Sequence, residues 1–76
     1  MAATDDVRTL LEGSLPGAQV RVEDFGGGDH LYAHVQAPQF HGLSLLDQHR
    51  LVYAPVQHLL DDGTIHALKI KTEALA

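Results

Sequence analysis

Apolar and polar residues alternate along two short stretches in the first half of the chain. In QVRVED, Val20 and Val22 alternate with Arg21 and Glu23; in HLYAHVQA, Leu31, Ala33, Val35 and Ala37 alternate with Tyr32, His34 and Gln36. A period of two places each apolar set on one face of a half-buried strand. The stretch from Phe25 to Asp29 between them is short enough for a hairpin, so these strands are expected to be antiparallel. A third stretch, TIHALKIKT, repeats the pattern, with His66, Leu68 and Ile70 on one side and Ala67, Lys69 and Lys71 on the other.

The remaining periodicity is helical. Thr4 reads as an N-cap, Asp5 and Asp6 fall in the first turn where the helix dipole favours acids, and Val7, Leu10 and Leu11 share a face. Gly13 and Pro16-Gly17 are its stop signals. A longer helix is predicted from about Ser44, with Ser44 to Asp47 as a capping signal and Leu45, His49, Val52, Val56 and Leu59 along one stripe. Pro55 interrupts that stripe. It has no N–H and crowds the carbonyl of Leu51, which predicts a kink or a split into two helices, and Gly63 follows as a stop.

The predicted order is helix, strand, strand, helix or helix pair, strand: one α+β domain over residues 1–76, with helices on one face of a three-stranded mixed sheet. A connection from the second strand through helices to the third favours a right-handed crossover, which makes those strands parallel and adjacent. His30 begins the second strand and His66 the third. Both imidazoles are therefore expected at the same end of the sheet, on strands roughly 4.8 Å apart, where they could share one ligand.

Composition narrows the chemistry. With 76 residues, 45% apolar but only 5% aromatic and no Trp, the core must be small and aliphatic. The absence of cysteine excludes disulfides, thiolate nucleophiles and any thiolate metal site made by this chain alone. No GxSxG or HExxH pattern occurs, and the run Gly26-Gly27-Gly28 is not followed by the Lys-Ser or Lys-Thr of a phosphate loop; an enzyme is not expected. Five basic against ten acidic residues give a net charge of −5, which opposes attraction to phosphate backbones and anionic lipid. The opening MAATDDVRTLLEG has acids where a secretory signal needs a basic region, and no stretch approaches a membrane span, so a cytoplasmic protein without membrane contact is expected.

Four stretches together resemble the BolA family across nearly the whole chain, from the first helix to Thr72: the hairpin with a histidine in its loop, PQFHG, QHRLVYAP and IHALKIKT. The resemblance implies an αββααβ arrangement similar to class II KH domains. It further implies a partner of monothiol glutaredoxins that helps ligate a bridged [2Fe-2S] cluster in iron–sulfur trafficking, assembly or iron sensing. Its ligands in this family are the histidine at the start of the third strand and a His or Cys in the hairpin loop, which here are His66 and His30. The chain departs from the family pattern at Gln48, where an Arg would complete an Arg-His-Arg run, and it ends soon after Thr72.

The missing cysteines fit that expectation. Iron–sulfur clusters are held mainly by thiolates, and even the Rieske type, with two imidazoles, keeps two cysteines. This chain can supply imidazoles only, so a glutaredoxin cysteine and glutathione would supply the sulfur. Alone, the protein is expected to be a monomer or a weak homodimer. The competing expectation is a KH-like nucleic-acid-binding transcriptional regulator, disfavoured because no GxxG loop and no basic flank occur. A solitary zinc site would have two candidate ligands where structural zinc takes four. For the glycines before His30, a simple hairpin and an arm that orders on docking both remain open. Spacing places His49 on the apolar stripe as a partly buried structural residue, and His34, His41 and His58 on the surface.

Overall fold

A computed structural model describes residues 3–75. The chain folds as α1 (Ala3–Ser14), β1 (Gln19–Gly26), β2 (His30–Ala37), a 3-10 turn (Pro38–Phe40), α2 (Leu45–Tyr53), a second 3-10 turn (Ala54–Val56), α3 (Gln57–Asp61) and β3 (Ala67–Ala74). The sheet order is β1-β2-β3, with β1 and β2 antiparallel and β2 and β3 parallel. The αββααβ order and the mixed sheet expected from alternation and the crossover rule are both present.

Alternation in β2 is carried into burial without exception: Leu31, Ala33, Val35 and Ala37 are buried, while Tyr32, His34 and Gln36 are half-buried. The buried row joins Val7 and Leu11 of α1, Phe40, Val52 of α2, Val56, Leu59, Ile65 and Leu68 in one core. Because all of these side chains meet one face of the sheet, the helices cover that face. Phe40 is the largest residue in this core, and the rest is aliphatic. The Tyr53 hydroxyl donates to the carbonyl of Leu68 at 2.7 Å and ties α2 to β3, and burial pushes its phenol pKa up.

Pro55 does split the long helix. α2 ends at Tyr53, the 3-10 turn Ala54–Val56 absorbs the missing donor, and α3 resumes at Gln57. The Ser44 cap forms as predicted, its hydroxyl accepting from Asp47 N at 3.1 Å. Three local expectations need correction. Thr4 lies within α1, which already includes Ala3, so it is not the cap. Gly13 is also inside α1, and the chain turns at Pro16-Gly17. Leu45 is 62% exposed although its angular position matches that of Val52. Seven residues separate the two, about 10 Å along the helix axis. Periodicity fixes the direction of a side chain but not whether anything stands opposite it, and the first turn of α2 overhangs the core.

Gln48, on the same helix, is a structural residue. Its amide nitrogen donates to the carbonyl of Leu43 at 3.0 Å and its oxygen accepts from the Thr72 hydroxyl at 2.7 Å, joining α2 to β3. Among the described residues no helix is long and apolar enough to cross a membrane.

Candidate two-histidine site

The parallel register pairs His30 with Ala67, which sets the residue before each strand, Asp29 and His66, side by side at one end of the sheet. The main chain fixes that juxtaposition: the carbonyl of Asp29 accepts from His66 N at 2.7 Å and from Ala67 N at 3.2 Å. Its carboxylate does the rest. His30 Nδ1 lies 2.8 Å from Oδ1 and His66 Nδ1 lies 2.6 Å from Oδ2, so one aspartate holds both imidazoles. The ring centroids stand 6.0 Å apart with the planes at 63°.

Hydrogen bonding from His30 is the main reason the Asp29 carboxyl titrates below its usual value; partial desolvation works against this, and the hydrogen bond from His66 and the charges of both rings add to it. Both imidazoles are open to solvent, with side-chain exposures of 56% for His30 and 63% for His66. The alternation places His66 on the side of Leu68 and Ile70, yet its ring is largely exposed. Its anchor is Asp29 instead, because His66 immediately precedes β3 and lies beyond the end of the core.

The glycine run that precedes this site is a closed turn. Gly27 and Gly28 have φ of +74° and +81°, a region that side chains with a Cβ rarely enter, and the β1 register shifts between Asp24 and Gly26. The Asp24 carboxylate accepts from Gly26 N at 2.7 Å and from Gly28 N at 3.2 Å, satisfying donors that the turn would leave free. His30 is thereby delivered by a pinned hairpin.

The other histidines stay apart from this pair. His34 Nε2 is 2.6 Å from Glu73 Oε1 on the outer sheet face, His41 Nε2 is 3.0 Å from the carbonyl of Leu75, His49 is half-buried on α2 and His58 is exposed on α3. Asp29 is the residue that sequence reasoning missed. Part of its signal is in the sequence, since it immediately precedes His30; the register that puts it opposite His66 comes from the folded sheet.

Among the described residues no set of three or more His, Cys, Asp or Glu forms a metal cage. What the site offers is two nitrogen donors already oriented by a carboxylate, with no thiolate anywhere in the chain. That donor set fits half of the ligand shell of a cluster whose remaining positions are filled from outside.

The chain is a small αββααβ domain built on a three-stranded mixed sheet. The family model described as BolA-like protein matches residues 14–76, from the end of α1 through the whole sheet, and the chain belongs to that family. An uncharacterised protein of Rickettsia prowazekii (strain Madrid E) is 31% identical over 71 residues, spanning 92% of this chain and 91% of the relative. Among solved structures, the BolA domain of SufE1 from Arabidopsis thaliana is 30% identical with a TM-score of 0.84, covering 97% of this chain and 93% of that one. A BolA protein homologue from Coxiella burnetii is 36% identical with a TM-score of 0.77, covering 97% of this chain and 92% of that one.

Proposed function

We propose that this BolA-like protein is the imidazole-supplying partner in a heterocomplex with a monothiol glutaredoxin. Together they hold a bridged [2Fe-2S] cluster for iron–sulfur trafficking, assembly or iron sensing. His30 and His66 are its ligands, and a glutaredoxin cysteine and glutathione provide the thiolates. The observation that carries this reading is the meeting of two solvent-open imidazoles, distant in sequence, on the single carboxylate of Asp29. A structural histidine needs no such convergence, and a chain without cysteine can take part in cluster binding only as one side of a shared shell.

When bound, such a cluster supplies electron-transfer chemistry and a transferable iron–sulfur unit. The chain's own part is to present nitrogen in place of sulfur, which raises a cluster's potential and makes its ligation responsive near neutrality. The role is that of a cytoplasmic binding partner and not of a catalyst. The test is to mix the purified protein with cluster-loaded monothiol glutaredoxin and record visible absorption and circular dichroism. A spectrum that differs from the sum of the two components, saturating with added protein, is the expected result; simple additivity would refute the reading.

A further inference from the structure

The two histidines share a feature that neither needs as an isolated ligand. Each ring turns the same nitrogen, Nδ1, toward the same carboxylate, His30 to Oδ1 at 2.8 Å and His66 to Oδ2 at 2.6 Å. An ionised carboxylate only accepts hydrogen bonds, so both Nδ1 atoms must carry the proton. A neutral imidazole protonated at Nδ1 has its lone pair on Nε2. One aspartate therefore decides the tautomer of two rings at once.

We propose that Asp29 is a positioning residue that locks His30 and His66 together in the Nδ1–H tautomer and so presents two Nε2 lone pairs to the group they bind. The use made of those lone pairs rests on the cluster-partner reading above; the lock itself is a property of the protein alone. Its construction is economical in residues. The carbonyl of Asp29 fixes the backbone at His66 and Ala67, so the ring of His66 and its main chain are registered to one residue. Gly27 leaves the space for the carboxylate: a Cβ there would stand 3.1 Å from Asp29 Oδ1. Metal-bound histidines generally have their second nitrogen held by a carboxylate or carbonyl, and loss of that partner typically weakens binding about 10–100-fold. Here one group serves two ligands, so a single substitution should disturb both.

Asp29→Asn separates positioning from structure. The main-chain bonds of Asp29 remain, but the side chain now has one acceptor and one donor. At most one ring can keep its proton on Nδ1; the other faces an N–H, must accept with Nδ1 and carries its proton on Nε2. Asp29→Ala frees both rings. The first measurement is long-range proton–nitrogen NMR of the imidazoles in the protein without glutaredoxin, at a pH where they are neutral, with exposed His58 as internal reference.

In the wild type both His30 and His66 should be Nδ1–H. In Asp29→Asn one should switch, and in Asp29→Ala both should match His58. Finding either ring as Nε2–H in the wild type, or unchanged tautomers in Asp29→Ala, overturns the lock. If Asp29→Ala does not fold, the Asn variant decides by the same criterion. The second measurement titrates folded variants against cluster-loaded glutaredoxin, where a loss of about 10–100-fold in affinity is expected. A wild type that forms no heterocomplex refutes the functional reading while the NMR result still decides the lock. A wild type and an Asn variant that titrate alike refute the positioning role.

Discussion

A Cβ added to Gly27 would lie 3.1 Å from Oδ1 of Asp29, the oxygen that His30 engages. The turn that carries the candidate site and the carboxylate that organises it are thus close enough that a Cβ at Gly27 would require the carboxylate to shift by a few tenths of an ångström.

Gly27→Ala is expected to do two things at once. Its φ of +74° makes any Cβ cost about 1–2 kcal/mol, and the contact with Asp29 should move the carboxylate off His30. Gly63→Ala is the control, because φ is +81° there but nothing lies within 4 Å of the added carbon. Urea denaturation should show similar losses for both, while the ring signals of His30 and His66 should shift only in Gly27→Ala. Unperturbed ring signals in that variant would mean that Asp29 does not depend on the space.

His66→Ala should weaken the heterocomplex with cluster-loaded glutaredoxin more than His30→Ala. Asp29 holds His66 at both its ring and its backbone N–H, whereas the ring of His30, the residue next to Asp29 in the chain, is held through Oδ1 and follows directly on the glycine turn. More of the ordering cost is met in advance for His66. Both variants, checked by far-ultraviolet circular dichroism, should keep the fold, since both rings are exposed. A His66 variant with wild-type affinity and visible spectrum would remove it from the site.

Phe40→Ala should be near the limit of what the domain tolerates. Phe40 is 1% exposed and is the largest side chain in an otherwise aliphatic core. Its truncation is expected to cost about 3–5 kcal/mol, against a total stability on the order of 4–11 kcal/mol for a chain of this length. The urea midpoint should fall by roughly half, and Phe40→Leu should recover most of the loss.

Acid should destabilise the protein through two carboxylates outside the core. Hydrogen bonds from the Thr64 side chain and backbone hold the Asp62 carboxyl below its usual 3.8, and hydrogen bonding from His30 does the same for Asp29. A folded pKa below the unfolded one contributes stability that is fully present above 3.8 and is lost as pH falls through the lower folded values. Asp62→Asn should flatten the fall in thermal midpoint below about pH 4 without changing the glutaredoxin titration.

Nucleic acid should bind weakly, with affinity that disappears as salt rises. Arg21 on the outer sheet face is 3.4 Å from Glu23, and Lys71 is 3.9 Å from Glu73, so these cations already have anionic neighbours. Few phosphates can be neutralised by such a surface. Salt-resistant, sequence-specific retardation of a DNA or RNA fragment in a gel-shift assay would favour the KH-like reading instead.

The sheet was legible because its information is local. Strict alternation in Leu31 to Ala37, the short span to β1 and the helical span to β3 leave one sensible topology, and that topology alone sends His30 and His66 to the same end. The exposure of Leu45 has a physical reason of the opposite kind. Its periodicity was right, but exposure depends on where the helix overlaps the sheet, a distance along the axis that no periodic pattern carries.

Spacing, side-chain chemistry and chain connectivity were enough for the strands, the interruption at Pro55, the parallel neighbours and the convergence of His30 and His66 at one end of the sheet. How those imidazoles are held depends on contacts between segments. The glycine run closes as a turn because Asp24 accepts its N–H groups, and Asp29 bridges both rings because the parallel register brings its carbonyl to His66 N at 2.7 Å. Hydrogen bonds between segments depend on three-dimensional register to within a few tenths of an ångström, and the linear order of residues does not state it.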